Sequence, residues 1–125
     1  MSDAQELADR YIAAWVERNS ERRRERIAAL WMPNGRHFVG ERTVEGYDAL
    51  ESRVLESHQK WVADRGYRFR AVNNAQALKN SVTFNWEMLA PEGDAALAVG
   101  LEFLLLGEDG RIAADYQFIV KPPAG

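Results

Sequence analysis

The stretch Leu97-Ala98-Val99-Gly100-Leu101-Glu102-Phe103-Leu104-Leu105-Leu106, the turn Gly107-Glu108-Asp109-Gly110, and Arg111-Ile112-Ala113-Ala114-Asp115-Tyr116-Gln117-Phe118-Ile119-Val120 together spell out a hairpin. Leu97, Val99, Leu101, Phe103 and Leu105 alternate with Ala98, Gly100, Glu102, Leu104 and Leu106, and Tyr116, Phe118 and Val120 alternate with Asp115, Gln117 and Ile119. A loop centred on Glu108-Asp109 would pair Leu106 with Arg111 and therefore Glu102 with Asp115. Directly opposed residues of antiparallel strands share a face, with Cβ atoms about 5 Å apart. The hairpin thus sets two carboxyls side by side, with Gln117 one pleat along. If water is kept from that face, repulsion raises the pKa of one of them, and a single residue type supplies both an acid and a base.

Working back from the hairpin, strands are expected over Tyr67 to about Leu78, Val82 to Ala90 and Ala95 to Leu106, with Arg111 to Val120 last. Val82, Phe84, Trp86 and Met88 alternate with Thr83, Asn85 and Glu87, which gives that strand one inner face. Helices come earlier. Ser2 and Gln5 suit a capping box, and Leu7, Ala8, Tyr11, Ile12, Trp15 and Val16 recur at helical spacing. Asn19-Ser20 opens a second helix carrying Ile27, Ala28, Leu30 and Trp31. Its Glu21 to Arg26 run, with four arginines and two glutamates, reads as a solvated face. Pro33-Asn34-Gly35 is a turn, and Arg36 to Val39 is a short strand. A third helix follows Gly46 to about Asp64, and on it Tyr47, Leu50, Val54, His58 and Trp61 form one inward stripe. The order predicts an α+β domain in which a curved antiparallel sheet, a half-cone, packs on three N-terminal helices around an internal pocket.

The 125 residues make one domain over 1–120, with 121–125 a loose tail. A hydrophobic content of 46% fits a globular core, and a net charge of −3 gives no general attraction to nucleic acid or to anionic membranes. The absence of cysteine rules out disulfides and thiol catalysis. Two histidines without ligand spacing argue against a tightly held metal, and no cofactor is expected. No signal peptide or long apolar run is seen, so a cytoplasmic location is the expectation.

Asp9-Arg10-Tyr11-Ile12-Ala13-Ala14-Trp15, Ile27-Ala28-Ala29-Leu30-Trp31, Val44-Glu45-Gly46-Tyr47-Asp48-Ala49-Leu50 and Gly107-Glu108-Asp109-Gly110-Arg111-Ile112 give the chain a resemblance to the nuclear-transport-factor-2-like superfamily. Within it the chain is similar to SnoaL-like polyketide cyclases and ketosteroid isomerase. The resemblance covers nearly the whole chain and is more specific for fold than for reaction. It implies that Tyr11 stands where ketosteroid isomerase keeps its oxyanion-hole tyrosine, and Glu102 where it keeps a protonated aspartate. The catalytic base of that enzyme is replaced here by Val39, which argues against steroid isomerisation by its mechanism. The same register implies that Asp115, Gln117 and His37 face the pocket.

The candidate catalytic residues are therefore Tyr11, Glu102, Asp115, His58 and His37, and the candidate substrate-binding residues are Trp15, Trp31, Trp61, Phe84, Trp86 and Gln117. The leading expectation is proton-transfer chemistry on a small, mostly apolar carbonyl or cyclic compound: isomerisation, cyclisation or dehydration. Asp115 or His58 would be the base, and protonated Glu102 with Tyr11 would hold the oxyanion. A lyase resembling scytalone dehydratase, with His37 and His58 across the pocket, is the enzymatic alternative. A non-catalytic ligand-binding or association module is the other. Leu101, Phe103, Tyr116 and Phe118 would form an outer sheet face too apolar to leave wet, which points to a homodimer.

Overall fold

The computed structural model describes residues 3–123. Its elements are α1 (Asp3–Val16), α2 (Ser20–Leu30), β1 (Trp31–Val39), β2 (Arg42–Glu45), α3 (Tyr47–Ser57), β3 (Arg68–Ala71), β4 (Gln76–Leu78), β5 (Ser81–Leu89), β6 (Ala96–Leu106) and β7 (Ile112–Lys121). The α3 helix runs on as a wider π-helical turn over His58–Ala63, and Gly66, at φ +69°, ends it. The proposed Ser2 capping box lies outside the described residues.

Helices α1 and α2 meet at a loop closed from both sides. The Asn19 side chain caps α2 by accepting from the Arg22 backbone N–H at 2.9 Å. Arg23, expected on a solvated face, is buried instead. Its guanidinium donates to the carbonyls of Glu17 at 2.7 Å and Arg18 at 3.2 Å. Those carbonyls end α1 and would otherwise lack partners, so one arginine of the run is drawn inward.

The sheet has seven strands in the order β2-β1-β7-β6-β5-β3, with β4 also on β5. Most of it is the expected antiparallel meander, but β1 runs parallel to β7, which makes the sheet mixed. Pairing the first strand with the last is non-local, so nothing in the pattern of either strand announces it. Strand β1 is also longer than expected. The anticipated Pro33-Asn34-Gly35 turn is an irregularity inside it: the stretch of β1 from Trp31 to Arg36 lies against only Ile112 to Ala114 of β7. Further bulges lie between Val99 and Gly100, Leu105 and Leu106, and Met88 and Leu89. Each adds bend and twist to its strand. Together they curve the sheet around the helices into an open cone whose core is packed from Leu7, Tyr11, Leu30, Trp31, Leu50 and Phe84.

The expected loose tail is held further than anticipated. Lys121 closes β7 and donates to the Ala96 carbonyl at 2.9 Å, and Pro123 borders the cone's mouth. Ala124 and Gly125 lie outside the described residues. Among the described residues no helix is long and apolar enough to cross a membrane.

Candidate active site

The hairpin that dominates the sequence also positions the site, but its register is two residues from the simple one. Glu102 pairs with Gln117, and Asp115 pairs with Leu104. The turn is wider than expected, with the Gly107 N–H donating to the Arg111 carbonyl at 2.7 Å, and Ala113 is a bulge between the Leu105–Ala114 and Leu106–Ile112 pairs. Because strand faces alternate with period two, a shift of two keeps every side chain on its side. Glu102 and Asp115 still point inward, as diagonal neighbours instead of directly opposed ones. The parallel pairing of β1 with β7 then adds His37 beside Asp115 and Val39 beside Gln117.

Glu102 and Asp115 meet the Tyr11 hydroxyl from α1, and His37 joins them through Asp115. Glu102, Asp115 and His37 are fully buried, and Tyr11 is 1% exposed. Tyr11 Oη lies 2.6 Å from Asp115 Oδ2 and 3.2 Å from Glu102 Oε2. His37 Nδ1 lies 2.8 Å from the same Asp115 Oδ2, and Trp86 Nε1 donates to Glu102 Oε1 at 2.9 Å. A phenol has one proton, and the shorter contact takes it, so Tyr11 donates to Asp115. The Glu102–Tyr11 contact is then a hydrogen bond only if Glu102 carries a proton and donates it.

The electrostatics agree with that inventory. Burial, then the nearby Asp115 charge, raises the Glu102 carboxyl well above the usual carboxylate range. Burial pushes Asp115 up as well. The adjacent His37 and hydrogen bonding with Glu102, His37 and Tyr11 outweigh it, so Asp115 ends below its ordinary value. Burial and the two carboxyls push the Tyr11 phenol up, which keeps it neutral. These shifts favour the proton on Glu102 and the charge on Asp115, with a phenol between them.

These groups sit behind and on the wall of a cavity of about 170 Å³, open at one end. Tyr11, Glu102, Gln117, Trp15, Trp61 and Trp86 line it, and so does Val39. Asp115 and His37 do not reach it. They stand behind Tyr11, so Asp115 reaches a ligand only through the wall groups it bonds, Tyr11 and Glu102. Trp31 and Phe84, expected as cavity wall, are core residues at 0% and 1% exposure. They pack on the Tyr11 ring at centroid distances of 5.5 Å each and fix its direction.

His58 is the largest departure from expectation. It is buried, but its charged neighbours are Arg23, Arg18 and Glu17 at the α1–α2 loop, and it lies outside the cavity lining. Burial, then the two arginines, lowers its pKa, the opposite of what a carboxylate partner would do. The cavity meets the side of α3 and its continuation that carries Arg53, Ser57 and Trp61, and His58, one residue round from Ser57, faces the α1–α2 loop instead. The wall residue missed from the sequence is Arg53, one helical turn from Leu50 and from Ser57. A lone arginine beside an apolar stripe reads as surface, so nothing in the pattern singled it out.

Gly100 gives Trp86 its place. A Cβ at position 100 would stand 2.0 Å from Trp86 Cε2, so the indole lies flat on the glycine and directs Nε1 at Glu102. Gly100→Ala should force the indole away, cost about 1–3 kcal/mol of stability by overpacking, and shift the tryptophan emission. Thermal unfolding and fluorescence spectra would check both.

No family model matches the chain, and no curated protein matches it by sequence. Solved structures do. A candidate isomerase of the SnoaL-like family from Agrobacterium tumefaciens is 29% identical over 95% of this chain and 98% of that one, with a TM-score of 0.85. A SnoaL-like protein of unknown function from Burkholderia thailandensis is 16% identical over 100% and 99%, at 0.70. A candidate polyketide cyclase from Sinorhizobium meliloti is 10% identical over 90% and 94%, at 0.66. Three helices on a curved open sheet, together with these likenesses, place the chain in the nuclear-transport-factor-2-like superfamily, where it resembles the SnoaL-like proteins.

Proposed function

We propose that the chain is a small-molecule enzyme of the SnoaL-like kind that moves protons on a single-ring carbonyl compound. One observation carries this reading: a neutral carboxyl, Glu102, stands with the Tyr11 hydroxyl on the wall of an apolar cavity and is backed by an ionised carboxylate. A cavity of about 150 Å³ holds benzene, so one of this size with an open end suits one ring and its substituents. Glu102 gives its proton to the substrate oxygen as charge develops there. The carboxylate left behind accepts from Trp86 and from Tyr11, whose hydroxyl turns from Asp115 to Glu102. That carboxylate takes the proton from the substrate's α-carbon, so Glu102 is an acid again and the substrate has become its neutral enol. Tyr11 thus stabilises both protonation states, and Asp115 with His37 holds it in place between them.

Solvent deuterium exchange at the α-carbon of cyclohexanone, followed by proton NMR, tests this. We expect exchange above the buffer rate with the wild type and none above it with Glu102→Gln. Equal rates in buffer, wild type and variant would favour the ligand-binding reading instead. That alternative has one observation in its favour: Val39 fills the wall position where the resemblance would place a base. The dehydratase-like reading needs His37 and His58 on opposite cavity walls, and neither lines it.

A homodimer belongs to the same proposal. Phe38 and Tyr116 stack at 4.8 Å on the outer sheet face, Phe103 lies 6.0 Å from Tyr116, and Phe118 is 54% exposed beside them. Such an aromatic ladder suits a two-fold interface. Sedimentation at micromolar concentration should give a dimer for the wild type and a monomer for Phe118→Lys; a wild-type monomer would contradict it.

A further inference from the structure

We propose that the ligand of this cavity is a small organic anion, a ring compound bearing a carboxylate, and that Arg53 receives its charged group. The proposal rests on the cavity being the reaction site described above and adds the substrate's chemical class.

Arg53 lies in the cavity wall with its guanidinium stacked over the Trp15 ring, 5.0 Å from the centroid. Its Nε is buried without a hydrogen-bond partner. None of the ion pairs among the described residues includes it. The charged and titratable groups around it are Arg42, Glu56, Tyr11 and Glu102. Glu56 is taken by Arg42 at 2.9 Å, Arg42 has the same sign as Arg53, and burial raises the pKa of Tyr11 and of Glu102, which favours their neutral forms. Arg53 is therefore an uncompensated cation in an otherwise uncharged wall. Burial, the largest cause, lowers its pKa, and Tyr11, Glu56 and Glu102 do not offset it. A planar carboxylate is the anion whose geometry matches a guanidinium fork.

One wall residue is flanked by the same sign. Trp61, in the cavity wall, has Lys60 Nζ 4.7 Å and Arg65 Cζ 5.1 Å from its ring centroid, with Asp64 the nearby acidic residue in sequence. This concentration of positive charge runs against a chain whose net charge is −3, and it favours entry of an anion. The rest of the wall, Ile12, Phe69, Met88 and the tryptophans, suits an apolar ring. The substrate then lies with its carboxylate on Arg53 and its carbonyl toward Glu102 and Tyr11.

The test compares phenylacetate with uncharged phenylacetamide at neutral pH. Binding is read by quenching of the cavity tryptophans in the wild type, Arg53→Met and Arg53→Lys. We expect the wild type to bind the carboxylate at least about tenfold more tightly than the amide. Arg53→Met should lose that preference while its amide affinity stays within about twofold, which also shows that the cavity is folded. Arg53→Lys should keep part of it. Equal binding of the two probes by the wild type, no binding of phenylacetate, or a preference that survives Arg53→Met would overturn the proposal. The readout needs no turnover, so anion selectivity with no deuterium exchange would sink only the catalytic reading, and exchange without selectivity would sink only this one.

Discussion

Asp115→Ala should destabilise the fold by about 2–4 kcal/mol, the cost of taking the acceptor from buried hydrogen-bonding groups. The carboxylate it removes accepts from Tyr11 at 2.6 Å and from His37 at 2.8 Å, both in the fully buried interior. His37 would be left facing apolar packing without this partner, and Tyr11 would keep only its longer contact with Glu102, at 3.2 Å. Asp115→Asn should cost less, because its amide oxygen can still accept from Tyr11 and His37. It should also lower the Glu102 pKa: burial, the larger cause of the raised value, remains, but the Asp115 charge is gone. Urea unfolding of the three proteins would measure this. An Asp115→Ala cost near that of a surface substitution, within about 0.5 kcal/mol, would mean that the carboxylate is not the anchor of the network.

Glu102→Gln should separate stability from function. An amide at this position reproduces the protonated acid: its oxygen accepts from Trp86 and its nitrogen donates to Tyr11. It cannot transfer a proton, so turnover should fall by about 10²–10⁴-fold. Stability should respond the other way. The folded wild type keeps a proton on Glu102 that the unfolded chain releases above about pH 4.3. Its stability contribution is fully present below that pH and is lost as pH rises toward the folded value, at up to about 1.4 kcal/mol per pH unit. Glu102→Gln has no such proton to lose. It should match or exceed the wild type near neutrality, with the gap widening as pH rises. Melting temperatures across a pH series would show it.

Much of the fold is legible in the chain because its signals are local. The period-two alternation around Glu102 and Asp115 fixes which side chains face inward, and this survives the Ala113 bulge because a two-residue slip preserves the faces. The helical stripes of α1 and α3 are equally plain. The parallel contact of β1 with β7 is not, since it joins residues about 80 positions apart and leaves no mark on either strand's pattern. The site divides along the same line. Tyr11, Glu102, His37 and Asp115 come from faces that the alternation and helical period define, and the structure brings them together. Which of them touches the cavity depends on how deep each lies behind the Tyr11 ring, and periodicity carries no depth. His58 shows the same limit: its stripe says inward, but not toward which part of the interior. Arg53 fails from the other side, because an arginine at the edge of a stripe carries no sign that its carboxylate partner is missing.

The division of charge between the two carboxyls is the point on which all of this turns, and carboxyl carbon NMR of selectively labelled protein measures it directly. We expect the Glu102 carboxyl to keep the chemical shift of a protonated acid through neutral pH. The Asp115 carboxyl should be ionised throughout, and Asp115→Asn should move the Glu102 transition to lower pH. Two carboxyls that both titrate near 4, each indifferent to substitution of the other, would contradict it.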